Sequence, residues 1–327
     1  MRNCTSKIRF ATRNCSGSCE AERKTVALII TNCSKRKRAP LDPNLHAEKM
    51  EPGALDAVAV EWSRRLGAAN RITRAQDLYA GRAFVEASRA ASVLSSPLAV
   101  VSAGLGLIHG GTEVPSYSLT TAQRDPDNIL RKIDATPSDW WASLQSRSPF
   151  RSYAIETETG PILAALSAGY LAMVAADWAK WPTERLARLR LFTKEQPVGI
   201  AEALVAAWMP YDDRLDALGD GYAGTQADFA QRAMRHYAGT IGVAGTLVED
   251  RAAVRRSLEG LTVRQVPTRL RHTDEEIRSL VRAHWVIMNG RSGAMLRHLR
   301  DTLGVACEQG RFKGLFADVA NERTGAQ

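Results

Sequence analysis

The sequence predicts an α/β protein: a central, mostly parallel sheet flanked by helices, followed by a mainly helical C-terminal region with a helix-turn-helix. Three observations carry this expectation. Short runs of consecutive apolar residues, each bounded by polar loop residues, recur in the first two thirds of the chain, as strands buried on both faces require. Segments with helical apolar spacing alternate with them, an order that places helices on a parallel sheet. Beyond about residue 210 the strand-like runs stop and helix signals take over.

Element by element, residues 1–24 read as a flexible basic leader. Thr25–Thr31 (TVALIIT) is the first buried strand, and it ends in Asn32-Cys33-Ser34-Lys35-Arg36-Lys37-Arg38. Helices are predicted over 53–69, with Leu55, Val58, Trp62 and Leu66 on one face, and over 81–94. Leu98–Ser102 is the second strand and runs into Ala103-Gly104-Leu105-Gly106. A Gly-, Pro- and Ser-rich loop is expected over 109–137, then a short helix at Ser138–Ser146. Residues 161–167 read as a helix and Tyr170–Ala175 as a third strand, which puts Asp177-Trp178 at a strand end. The predicted domains are 25–210 (α/β) and 211–327 (helical and DNA-binding). Within the second, Thr225–Tyr237 is helical and Thr273-x-x-Glu276 is a capping box. Ser292 caps a helix over Gly293–Leu303 that Gly304 closes, and another helix follows from Cys307 to Val319. Helix, short Gly turn and helix together give the helix-turn-helix.

Charge is unevenly placed. The net charge is +9, yet residues 1–38 hold ten Lys/Arg against two Asp/Glu, and 251–327 hold fourteen against eight. The segment between is therefore acidic-leaning. Two basic ends suit docking on a polyanion, and the expected partner is double-stranded DNA. No apolar run reaches transmembrane length, so no membrane is expected. The five cysteines, an odd number, and the lack of a secretory signal point to the reducing cytoplasm. Cys4, Cys15 and Cys19 lack a nearby fourth ligand, so no metal is expected. No organic cofactor is called for either.

Ligands of open α/β sheets bind outside the carboxyl ends of the strands. Asn32–Arg38 leaves such an end with backbone donors, Ser34 and four cations, a combination that suits phosphate. Gln76-Asp77-Leu78-Tyr79-Ala80-Gly81-Arg82 offers a carboxylate, a phenol and a guanidinium beside a helix start. Ser102-Ala103-Gly104-Leu105-Gly106 admits close backbone approach, and Tyr117, Asp125 and Asp127 follow in the same loop. Arg291, Arg297, Arg300, Arg311 and Lys313 surround the helix-turn-helix and, with Lys37, are the expected DNA contacts.

Taken together, Cys33–Lys37, Asp77–Phe84, Ser102–Ile108 and Pro115–Leu119 resemble the motifs of the YaaA-like group of domains, related in architecture to the uracil-DNA glycosylase superfamily. The whole chain is similar to antiviral DNA glycosylases that remove modified cytosines from phage DNA. Gln76–Tyr79 resembles the water-activating loop of uracil glycosylases, but lacks its Pro and His and does not follow the first strand. The resemblance implies hydrolysis of the N-glycosidic bond of a modified base, such as a glucosylated hydroxymethylcytosine, leaving an abasic site. It also implies that the base is flipped into a pocket and that negative charge faces an oxocarbenium-like sugar. Asp77 is the first catalytic candidate and Asn32 the alternative. Ser34 and Lys35 grip phosphates, Gly104 and Gly106 leave room for the base, and Tyr117 stacks on it. Cys33, Tyr79, Arg82 and Ser102 line the same substrate site. Two other readings stay open: a non-enzymatic DNA-binding regulator with a nucleotide-sensing domain, and a hydrolase or transferase of small nucleosides or nucleotides.

Overall fold

A computed structural model describes residues 26–219, 221–243, 245–263 and 268–324; the predicted leader, with Cys4, Cys15 and Cys19, lies outside them. The first strand, β1 (Leu28–Asn32), is buried except at Asn32. Helix α1 (Leu55–Ala68) buries the predicted face of Val58, Trp62 and Leu66. A two-residue strand β2 (Thr73–Arg74) and one helical turn α2 (Ala75–Leu78) lead into α3 (Arg82–Leu94). Strand β3 (Leu98–Ser102) is wholly buried and doubles back as β4 (Gly106–His109), after which β5 (Glu113–Val114) pairs with β2. Helix α4 (Pro137–Arg147) starts from a Thr136/Asp139 capping box.

Then come β6 (Ile162–Ala165), α5 (Ala168–Trp178), α6 (Thr183–Arg188) and β7 (Leu189–Phe192). Here the structure reverses the sequence expectation: 161–167 holds a strand and 170–175 lies in a helix. The apolar run from Ile162 to Ala176 has no clear period, so either assignment fits its composition. Length and spacing decide. Leu171, Val174, Ala175 and Trp178 are buried at helical spacing along the Ala-rich α5, whereas only four residues precede Leu166. Asp177-Trp178 therefore closes a helix and marks no strand end.

The sheet order is β4-β3-β1-β6-β7, with β3, β1, β6 and β7 parallel and β4 antiparallel. From β1 the chain crosses to β3 on one side; from β6 it continues to β7 on the other. Adjacent β1 and β6 thus form the topological switch point, the place where such sheets open a crevice.

Helices α7 (Glu202–Ala206), α8 (Phe229–His236) and α9 (Leu247–Ser257) complete the sheet's cover. Tyr211, Leu215, Phe229, Met234, Val254 and Leu258 belong to the same apolar core as the strands. A buried Arg190–Asp250 ion pair (2.7 Å) ties β7 to α9. The division between compact units falls after Val263, not at 210. The loss of strand-like runs marked the end of the sheet, and the helices that follow are its cover.

The second unit has its own core, which includes Ile277, Val281, Met295, Leu299, Phe312 and Val319. It consists of β8 (Leu270–Arg271), α10 (Asp274–His284), α11 (Ser292–Asp301), β9 (Val305–Ala306) and α12 (Gln309–Thr324). The Thr273/Glu276 capping box is present. Ser292 is the first helical residue, and Arg291 precedes α11 without a side-chain cap. A tight helix-turn-helix is absent from 292–324: seven residues separate α11 from α12, and Val305-Ala306 pairs in parallel with Leu270-Arg271. Among the described residues no helix is long and apolar enough to cross a membrane.

Candidate functional site at the sheet switch point

Asn32 ends β1 at the switch point. Its Oδ1 accepts the Ser167 N–H (3.2 Å) and the Gln231 Nε2–H (3.2 Å), and its Nδ2 donates to Cys33 O (3.0 Å). Gln231, on α8, also donates to Thr31 Oγ1 and Ala165 O. One late glutamine thereby holds the ends of β1 and β6 together. Beside it lies a cavity of about 450 Å³ at the carboxyl ends of β6 and β7, within the range of small-molecule sites. Ser167, Thr193, Lys194, Glu195, Gln226 and Gln231 supply polar groups, and Leu166, Leu171, Ile200 and Ala230 supply apolar wall. Glu195 is the one acidic residue lining it among the described residues. Lys194 lines it too, but is paired with Asp213. Helix α5 opens onto this crevice: the N–H groups of Ala168, Gly169 and Tyr170 have no partner among the described residues, so its positive end faces outward.

Away from β6, the site is closed. Tyr117 is fully buried, hydrogen bonds to Ser102 Oγ and lies 3.0 Å from the equally buried Tyr79 hydroxyl. Ser102 Oγ accepts the Leu105 N–H (3.0 Å). Burial, then the nearby Cys33, raises the Tyr79 and Tyr117 phenols well above their ordinary range. They stay neutral and cannot stack on a ligand. Gly104 admits the Tyr117 ring, which a Cβ would meet at 2.5 Å, and Gly106 admits the Gln145 side chain at φ +90°. These two glycines make room for the protein's own side chains. Cys33 is buried with its Sγ 2.9 Å from the Tyr170 hydroxyl.

The basic loop divides in two. Ser34 Oγ donates to Arg36 O, and the exposed Lys35 pairs with Asp125. Burial pushes the Asp125 carboxyl up, but the bond from Lys35, the Asp127 N–H and nearby cations outweigh it, and the carboxyl is held below its usual range. Lys37 turns inward: its Nζ donates to Ser34 O (2.8 Å) and lies 4.5 Å from the Tyr117 ring centroid. Burial lowers its pKa despite the carboxylates nearby. It is a partly buried brace, not the outer DNA contact the sequence suggested.

Asp77 does not join this site. It pairs with Arg74 (2.7 Å) and lines a surface depression with Pro97, Leu98 and His109, at the amino end of β3. Arg82 is likewise structural, donating to Gly221 O (3.0 Å) and facing Glu86 and Asp228. Of the C-terminal cations, Arg291, Arg297 and Lys313 are exposed, while Arg300 and Arg311 are anchored to neighbouring groups.

Ser167, Glu195 and Gln231 were missed. The first had a visible signal, since Ser-Ala-Gly follows an apolar run both at 102–104 and at 167–169. Gln231 had none, being 199 residues from Asn32. No protein-family model matches the chain, and no curated protein or solved structure matches it either.

Proposed function

We propose that the protein is a DNA glycosylase that hydrolyses the N-glycosidic bond of a modified base, with the switch-point cavity receiving the flipped base. The observation that carries this reading is the cavity's chemistry: glutamine amides and apolar residues share its lining with a single carboxylate among the described residues. Gln196 and Gln226 line the cavity with amide groups suited to a base edge, and Asn32, outside the lining, fixes its Ser167 and Gln231 through the bonds that Oδ1 accepts. Glu195 supplies the negative charge that an oxocarbenium-like sugar needs, the role the sequence had given to Asp77. The unpaired N–H groups at the start of α5 suit a phosphate flanking the flipped nucleotide. The C1′–N bond breaks with its electron pair leaving on the base. Water adds its oxygen to C1′ as its proton passes to the same carboxylate, and that proton is then returned to the base through solvent.

The test is base release from modified and unmodified duplex DNA, followed by alkaline cleavage of abasic sites. Glu195→Gln should lower release about 100-fold or more, and Asp77→Asn should leave it within twofold. Turnover of free nucleosides without action on DNA would replace this reading with a small-molecule hydrolase. Binding without any product would replace it with a regulator.

A further inference from the structure

In the C-terminal unit, four arginines from three segments converge on one basin. Arg269 and Arg271 flank Leu270 of β8 and so project to the same face; Arg300 comes from the end of α11 and Arg311 from the first turn of α12. Together with Cys307 and Glu308 they line a basin of about 570 Å³.

Three of the guanidiniums are anchored in the same way. Arg269 donates through Nε to Arg300 O (3.0 Å) and through Nη2 to Asp301 (2.9 Å). Arg300 gives Nε and Nη2 to Cys307 O (3.0 and 2.6 Å). Arg311 gives Nε to Asp274 (2.7 Å) and Nη2 to His272 O (2.8 Å). In each the Nη1 group has no partner among the described residues. Arg271 is exposed, and its side chain makes no hydrogen bond among them. The one acidic side chain lining the basin, Glu308, already accepts the backbone N–H groups of Gly310 and Arg311.

An arginine held by one edge has lost its rotamer freedom during folding, so presenting the other edge to an anion costs little further entropy. What sets this cluster apart is convergence, since guanidiniums from β8, α11 and α12 line one basin and three of them have a free Nη1 among the described residues. Segment 264–327 has eleven Lys/Arg against seven Asp/Glu, so the local field also favours an anion.

We infer that this basin binds the phosphodiester backbone of duplex nucleic acid. The seat is the β8/β9 side of the unit, and the exposed residues Arg291, Arg297 and Lys313, which do not line the basin, are not its main contacts. This inference does not need the glycosylase reading, because an unmodified duplex is sufficient to test it.

The experiment measures binding of the full chain to an unmodified DNA duplex across a salt series. Arg271→Ala, at an exposed position, should fold normally, weaken binding about tenfold and reduce the slope of log affinity against log salt by about one. Arg311→Lys keeps the charge but loses the anchored fork, and should weaken binding while leaving the slope nearly unchanged. Combined Arg291→Ala, Arg297→Ala and Lys313→Ala changes should have a smaller effect than Arg271→Ala alone. The inference is overturned if the triple variant loses more than Arg271→Ala, or if Arg271→Ala binds like the parent. It is also overturned if the parent binds inorganic phosphate at the basin but no duplex. Binding of the unmodified duplex through the basin, with no base released from any modified duplex, would sink the glycosylase reading and leave this one standing.

Discussion

The tripeptide Ser-Ala-Gly leaves a parallel strand twice in this chain, at 102–104 after β3 and at 167–169 after β6, with opposite results. The first copy is entirely buried. Trp62 and Trp140 donate their indole N–H groups to Gly104 O (2.7 Å) and Ala103 O (2.8 Å), and the Tyr117 ring fills the space over Gly104. The second copy is exposed, its Ala168 and Gly169 N–H groups have no partner among the described residues, and a Cβ on Gly169 would meet nothing within 4 Å. The same residues at equivalent places in the sheet form a sealed floor in one case and an open mouth in the other. What differs is the aromatic cover supplied by distant segments, so a local motif marks a strand end without showing whether a ligand reaches it.

The strongest way to break this contrast is at Asn32, which joins β1 to the open copy. Asn32→Ala removes the acceptor that fixes Ser167 and Gln231 beside the cavity. Base release should fall about 100-fold through misplacement of the lining groups, with the thermal midpoint within a few degrees of the parent; an unchanged rate would move the site away from the mouth. Next in size is the pair of glycine substitutions. Gly104→Ala forces the Tyr117 ring aside in a packed core and should cost about 1–3 kcal/mol in denaturant unfolding. Gly169→Ala lies in open space within a helix and should be neutral or stabilising by roughly 0.5–1 kcal/mol. Equal effects at both glycines would erase the distinction between floor and mouth.

The smallest effect concerns α8, which carries Gln231 to the mouth and His236 into the core behind it. Burial, with Arg235 nearby, lowers the His236 pKa to about 4, and its Nδ1 is 2.8 Å from the Tyr211 hydroxyl. The folded state therefore keeps the imidazole neutral where the unfolded chain, near its ordinary value of about 6.5, would protonate it. This contribution is complete above pH 6.5 and is lost as pH falls toward 4. The thermal midpoint should decline across that window, and His236→Gln should flatten the decline; an unchanged slope would show that other groups govern it.

Much of the fold was legible because burial leaves a local trace. Continuous apolar runs marked β1 and β3, and the spacing of Val58, Trp62 and Leu66 marked α1. The run after Gly160 was misread because alanine-rich apolar sequence has no period that separates a four-residue strand from the helix behind it. Of the two catalytic candidates, Asn32 is the one bonded to residues that line the mouth, Ser167 and Gln231. Tyr79, Tyr117 and Ser102, expected to line the substrate site, meet one another at the β3 end and close it. Asp77 lies away from the mouth because the α2 turn and its salt bridge to Arg74 hold it at the amino end of β3. Glu195 and Gln231 belong to the site only through tertiary packing, for which nothing in their neighbourhood gives a sign.

The amide of Gln231 has a further consequence for the order in which this protein is completed. All five sheet strands have been made by Phe192, yet the groups that fix the β1 and β6 ends arrive with α8, 200 residues after Thr31. Contacts so distant in sequence require a large loop-closure entropy before they contribute stability. During synthesis, a sheet whose strands are all present must wait for residue 231 to emerge before its functional edge is locked. A chain halted near residue 210 would carry the strands and the aromatic floor, but lack a finished mouth.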